Sequence, residues 1–139
     1  MCGIVGYIGK NRANEILING LLKLEYRGYD SAGIAVIEDK DIVCKKDIGR
    51  VSNLYNLEGI NDLKSTIGIA HTRWATHGKP SQINAHPHLD ASNTFAVVHN
   101  GIIENYNELR EELINKGYKF RSQTDSEVIT NLVNYYYKE

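Results

Sequence analysis

The sequence predicts an α+β fold of the layered-sandwich kind. Three observations lead there. Short apolar runs bounded by glycine or turn residues alternate with amphipathic helical stretches. Two of the runs are joined by a tight turn, as in a hairpin. The chain has 139 residues, the length of one domain, and is 42% hydrophobic, enough for one core.

Gly3–Ile8 (GIVGYI) is apolar, branched and glycine-bounded, and reads as a buried strand. Ala13, Ile16, Leu17, Leu21 and Leu24 then recur at helical spacing over about three turns. Arg27-Gly28-Tyr29-Asp30 ends that helix in a turn. Ala32–Glu38 and Asp41–Lys46 form two hairpin strands through Asp39-Lys40. Gly68–Thr72 and Thr94–His99 are further strands. Arg73–Ser92 shows no periodicity and reads as one long loop, the kind of segment that carries function. Asn105 caps a helix bearing Leu109 and Leu113, which stops at Gly117. Thr124-x-x-Glu127 is a capping box for a last helix with Val128, Leu132 and Tyr136 on its buried face. No stop signal precedes Glu139, so the chain is expected to be cut at or within a helix.

A net charge of −1 gives no basic surplus that would point to nucleic acid or an anionic membrane. No apolar stretch approaches the ~20 residues that span a bilayer, and the N-terminus lacks the pattern of a signal peptide. Cys2 and Cys44 make no disulfide framework, and a reducing cytoplasm is the simplest setting.

Several segments carry chemistry-bearing residues. Cys2 follows the initiator Met1, and its small side chain suits removal of that residue. Removal leaves a thiol beside a free α-amine, whose reference pKa is about 7.7–8.0. A thiol next to a local base is an activated nucleophile. The competing reading is a small buried residue at a strand start. His71-Thr72-Arg73-Trp74-Ala75-Thr76-His77-Gly78 runs from a strand end into the long loop. Arg73 can hold a carboxylate bidentately, with Thr76 and His77 as neighbouring donors, while Trp74 reads equally as core or as lid. His99-Asn100-Gly101 follows an apolar strand. Asn100 offers an amide donor and Gly101 a closely approaching backbone N–H, the makings of an oxyanion hole, though Asn-Gly is also a strong turn signal. Asp125 beside Thr124 either complements the helix macrodipole or holds a substrate ammonium.

All five histidines, His71, His77, His86, His88 and His99, fall between residues 71 and 99. They lack the second paired spacing of a zinc site, so no metal is expected. No phosphate loop or dinucleotide fingerprint occurs, and no cofactor is expected.

Together these segments resemble the N-terminal glutaminase domain of the glucosamine-6-phosphate synthase family. The matching strings are MCGIVGYIG, LEYRGYDSAG, GIAHTRWATHG, NAHPH, VHNGIIENY and TDSEVI, in the family's order and over nearly the whole chain. MCGI is shared by class II amidotransferases at large. RGYDSAG, HTRWATHG and NAHPH are more selective for the aminosugar members.

The resemblance implies an N-terminal-nucleophile hydrolase, a four-layer αββα sandwich. Cys2 would attack the glutamine side-chain amide with its own α-amine as base. Asn100 and the Gly101 N–H would hold the oxyanion. Arg73, with Thr76 and His77, would hold the substrate carboxylate, and Asp125 its ammonium. Trp74 would lie on a closing loop, Arg27 near the nucleophile, and His86 in the loop region supporting the site. L-glutamine is the implied substrate. Family members run much further, through the rest of the glutaminase domain and two sugar-isomerase domains. This chain is therefore expected to hold only the first part of the domain, to be unable to make glucosamine 6-phosphate alone, and to self-associate or pair with another chain to cover sheet edges.

Overall fold

The computed structural model describes residues 2–27, 29–74 and 79–138, with only the backbone of Arg27. Thr76 and His77, both expected at the site, lie outside the described residues.

In chain order the elements are β1 (Gly3–Ile8), α1 (Ala13–Leu24), β2 (Ser31–Glu38), β3 (Asp41–Ile48) and β4 (Ile67–Arg73). After them come β5 (His88–Leu89), β6 (Ala96–Val97), α2 (Tyr106–Asn115) and α3 (Glu127–Lys138). The first five match the sequence pattern to within two residues at each end. Asp39 and Lys40, the hairpin turn, take φ of 50° and 74°, the pair of positive values that a tight two-residue hairpin demands.

Four strands pair antiparallel in the order β1-β4-β2-β3, and β5 pairs β6 separately. Because side chains alternate across a sheet, the register decides which face each one serves. Ala32, Ile34 and Val36 of β2 lie opposite Thr72, Ala70 and Gly68 of β4, and Val5 lies opposite Ala70. These residues meet Leu17, Ile18 and Leu21 of α1 in the main core, closed by Val51, Leu54 and Ile60. Burying a leucine there stabilises by about 1.5–3 kcal/mol. The N-terminus of α1 has no side-chain cap; instead the Ala13 N–H donates to the Ser65 carbonyl at 2.7 Å.

The opposite face of the sheet carries Gly33, Lys46, His71 and Arg73, and the segment 84–97 packs on it. A Cβ on Gly33 would stand 2.2 Å from the His86 carbonyl oxygen, so only glycine lets that loop approach. Lys46 Nζ donates to the Ala85 and Pro87 carbonyls at 2.8 and 3.0 Å. α3 lies beyond β5 and β6, completing the layer order helix, sheet, sheet, helix of an α+β sandwich.

Several expectations need correction. The Thr94–His99 strand shrinks to Ala96–Val97, because its partner β5 is two residues long. Its first residues are claimed by a turn, in which the Asp90 carboxylate accepts from the Thr94 and Phe95 N–H groups at 2.6 and 2.8 Å. The same short β5 interrupts the segment that reads as one continuous loop. The capping box does not form. Glu127 turns its carboxylate to the Arg121 and Ser122 N–H groups at 2.8 and 2.7 Å, and Thr124 Oγ1 bonds His88 Nε2 at 2.7 Å. The helix therefore starts at Glu127, and Asp125 precedes it rather than lying in its first turn. Asn105 flanks α2 as expected, but its side chain makes no capping bond. Of the expected buried face of α3, Val128 is buried, Leu132 is half-buried and Tyr136 is 66% exposed.

Candidate functional site at the end of the first and fourth strands

The β1–β4 register places Gly3 opposite Thr72, which brings Cys2 to the C-terminal end of β4. Thr72 Oγ1 accepts the Gly3 N–H at 3.2 Å and fixes that end of β1. The Trp74 N–H donates to Cys2 Sγ at 3.1 Å, and the thiol reaches back to the Trp74 carbonyl at 3.6 Å. Cys2 and Cys44 are both free thiols. Burial pushes the Cys44 thiol up despite Lys46 beside it, which keeps it protonated.

A cavity of about 300 Å³ opens at this point, lined by Cys2, Arg73, Trp74, Asn100, Gly101 and Asp125, with His86 in its wall. Residues between 73 and 126 thus converge on Cys2. Asn100 Nδ2 donates to the Cys2 carbonyl at 3.1 Å. Gly101 takes φ +134°, a conformation closed to residues with a Cβ. Asp125 is buried, with Oδ2 accepting the Ile103 N–H at 2.7 Å. That bond ties the loop after Gly101 to the segment leading into α3.

Arg73 is 3% exposed and donates to the Lys79 carbonyl at 3.4 Å. Burial lowers its pKa, while Asp30, Cys2 and Asp125 pull the other way. A guanidinium and a carboxylate lining one cavity suit the carboxylate and ammonium that an amino acid carries on a single carbon, and the thiol in the same lining suits attack on an uncharged group further along it. Trp74 lines the cavity and is 56% exposed, which argues against the core reading.

Residues the sequence reading left without a role stand close by. His71 is fully buried, with Nε2 2.8 Å from Asn100 Oδ1 and 3.3 Å from the His99 carbonyl. Its ring stacks on His86 at 4.0 Å, and His86 meets His88 edge-on at 4.5 Å. Burial pulls His71 down from 6.5 to about 4 and depresses His86 and His88 as well. The signal for this column was the two-residue alternation His71–Arg73, which puts both side chains on one sheet face. Among the described residues, no group of three His, Cys, Asp or Glu is arranged to hold a metal.

A family profile described as a glutamine amidotransferase domain matches residues 71–139. Glutamine–fructose-6-phosphate aminotransferase (isomerizing) of Clostridium perfringens is 62% identical over 99% of this chain, and that of Pyrobaculum aerophilum 56% identical over all of it. The chain spans 23% and 24% of their lengths. Among solved structures, the glutamine phosphoribosylpyrophosphate amidotransferase from B. subtilis, complexed with ADP and GMP, superposes with a TM-score of 0.80 at 28% identity. The match covers 96% of this chain and 29% of that one. A fold shared with that enzyme, the domain match and the high identity along the whole chain place this protein in the class II, N-terminal-nucleophile family of glutamine amidotransferases.

Proposed function

We propose that this chain is the leading part of a glutaminase domain, which hydrolyses L-glutamine to supply ammonia for converting fructose 6-phosphate to glucosamine 6-phosphate. The observation that carries this reading is the convergence of Cys2, Arg73, Asn100, Gly101 and Asp125 on one cavity. The sugar reaction belongs to segments beyond this chain, which spans 23% of the Clostridium perfringens relative. Higher identity to the aminosugar enzymes than to the phosphoribosyl one favours that product class.

In the reaction, Arg73 holds the glutamine carboxylate, aided by Thr76 and His77, and Asp125 holds the ammonium. The α-amine of Cys2, freed by loss of Met1, takes the thiol proton. Sγ attacks the side-chain amide carbon. Asn100 Nδ2 and the Gly101 N–H stabilise the oxyanion. The amine returns the proton to the departing ammonia, leaving a thioester that water hydrolyses to glutamate. Trp74 closes over the substrate, Arg27 lies near the nucleophile and His86 supports the loop. Neither a metal nor a cofactor is needed for these steps. A cytoplasmic setting fits the two free thiols. Among the described residues no helix is long and apolar enough to cross a membrane.

The outer strands β1 and β3 and the exposed Val133, Tyr136 and Tyr137 of α3 support self-association or pairing with the remainder of a longer protein. The short span relative to the relatives favours one other reading, a chain that binds glutamine without turnover. Glutamine-dependent ammonia release tests the proposal. Release that requires loss of Met1 and vanishes in Cys2→Ala is expected. Rapid hydrolysis by Met1-retaining protein overturns the mechanism, and binding of a glutamate analogue without ammonia release selects the silent reading.

A further inference from the structure

We infer that His71 is a positioning residue for the oxyanion donor Asn100, holding its amide with the nitrogen toward Cys2. Its catalytic consequence rests on the glutaminase reading above.

The assignment follows from two acceptor-only atoms. His71 Nε2 lies 3.3 Å from the His99 carbonyl oxygen, which can only accept, so Nε2 carries the proton. The Asn100 atom 2.8 Å from that N–H is then the oxygen. At the other end of the same amide, the Cys2 carbonyl accepts at 3.1 Å, which independently requires nitrogen there. Both ends agree on one orientation. The amide nitrogen has two N–H bonds; one serves the Cys2 carbonyl and the second can face the cavity that Asn100 lines.

The reverse arrangement is electrostatically poor. With the proton on Nδ1, the Nε2 lone pair would face the His99 carbonyl. Flipping Asn100 to satisfy it would set amide oxygen against the Cys2 carbonyl and offer an acceptor to a developing oxyanion. The surroundings of His71 oppose that change. The ring is fully buried and stacked on His86, and Nδ1 has no hydrogen-bond partner among the described residues. A proton on that nitrogen would be buried without an acceptor. The depressed pKa of His71, about 4, agrees with a neutral ring in the physiological range.

The test combines a tautomer measurement with a double-mutant cycle on the full, Met1-processed chain. Long-range ¹H–¹⁵N correlation at pH 7 is expected to show His71 protonated at Nε2 and bare at Nδ1. An Nδ1–H tautomer or an imidazolium overturns the inference, whatever the activity. For glutamine hydrolysis, His71→Phe is expected to lower kcat by roughly 100-fold, the scale of one lost oxyanion donor, with KM changed less than about twofold. His71→Gln, which keeps a terminal N–H donor, is expected to recover most of that loss. In an Asn100→Ala background, His71→Phe is expected to cost little more, because the group it positions is gone. Fully additive losses overturn the inference. Ammonia release absent even from the unsubstituted chain would sink the glutaminase reading instead, and the tautomer measurement would still decide the role of His71.

Discussion

Toward α1, the four-stranded sheet presents Ala32, Ile34, Val36 and Ala70 to Leu17, Ile18 and Leu21. On the other side, the intervening residues of the same strands, Gly33, His71 and Arg73, meet the histidine-bearing loop and the cavity. One face is a largely apolar core, in which the buried Thr72 hydroxyl is satisfied by the Gly3 N–H. The other is also buried, yet its polar groups are mostly bonded to one another, to backbone carbonyls or to the cavity. The lesson is that period-two alternation does two jobs at once. It seals the domain on one side, and on the other it aims a donor and a cation at a single point.

The comparison is sharpened most by Cys2→Ala. The side chain is small and only half-buried, and its removal leaves the α1 face untouched. Ammonia release from glutamine is expected to fall by on the order of 10⁴-fold or more, with the thermal midpoint within about 2 °C of the parent. A large drop in midpoint would mean that the site face helps to hold the core.

Leu17→Ala is the converse. Leu17 is fully buried in the core cluster, and its truncation is expected to cost about 2–5 kcal/mol, measured by urea unfolding. Activity per folded molecule is expected to stay within about twofold, since no part of Leu17 reaches the cavity lining. A strong loss of kcat in folded protein would break the separation of the faces.

Gly33→Ala tests the seam between the sheet and the histidine loop. The added Cβ would meet the His86 backbone, which cannot swing aside as a side-chain tip can. A cost of about 1–3 kcal/mol is expected, as for overpacking elsewhere. Because the shift would fall on His86 and through it on His71, kcat is expected to drop as well. Unchanged kcat would show that the stack tolerates displacement.

How much of this was legible depended on whether the partner of each residue was near in sequence. β1 to β4 and α1 were readable because apolar periodicity reports burial directly, whichever element does the burying. Cys2, Arg73, Asn100 and Asp125 were nameable from residue chemistry, but their meeting depends on the Gly3–Thr72 register, which no local pattern states. Thr124 and Glu127 had the right spacing for a capping box, but Thr124 was diverted by His88, 36 residues away, and Glu127 by the Ser122 N–H just upstream. His71 had no local signal for its role, because what defines it is the His99 carbonyl 28 residues away.

The smallest expected effect is a pH dependence that singles out the site face. His71 is held near pKa 4 when folded, against an ordinary 6.5, so the unfolded chain binds the proton first. Stability is therefore full above pH 6.5 and declines as pH falls toward 4. Between pH 7 and 6, His71 alone is expected to remove roughly 0.5 kcal/mol, and His86 and His88, depressed by the same burial, act in the same direction. Asp90, which is held below the usual carboxylate value by its bonds to Ser92, Phe95 and Thr94, titrates well below this window and does not confuse it. Among the described residues, no histidine belongs to the core cluster on the α1 face. Urea unfolding at pH 7 and 6 is expected to show the decline, and His71→Gln to lessen it. A midpoint that rises on acidification would mean that the histidine column is charged in the folded state, and the contrast between the two faces would need a different electrostatic account.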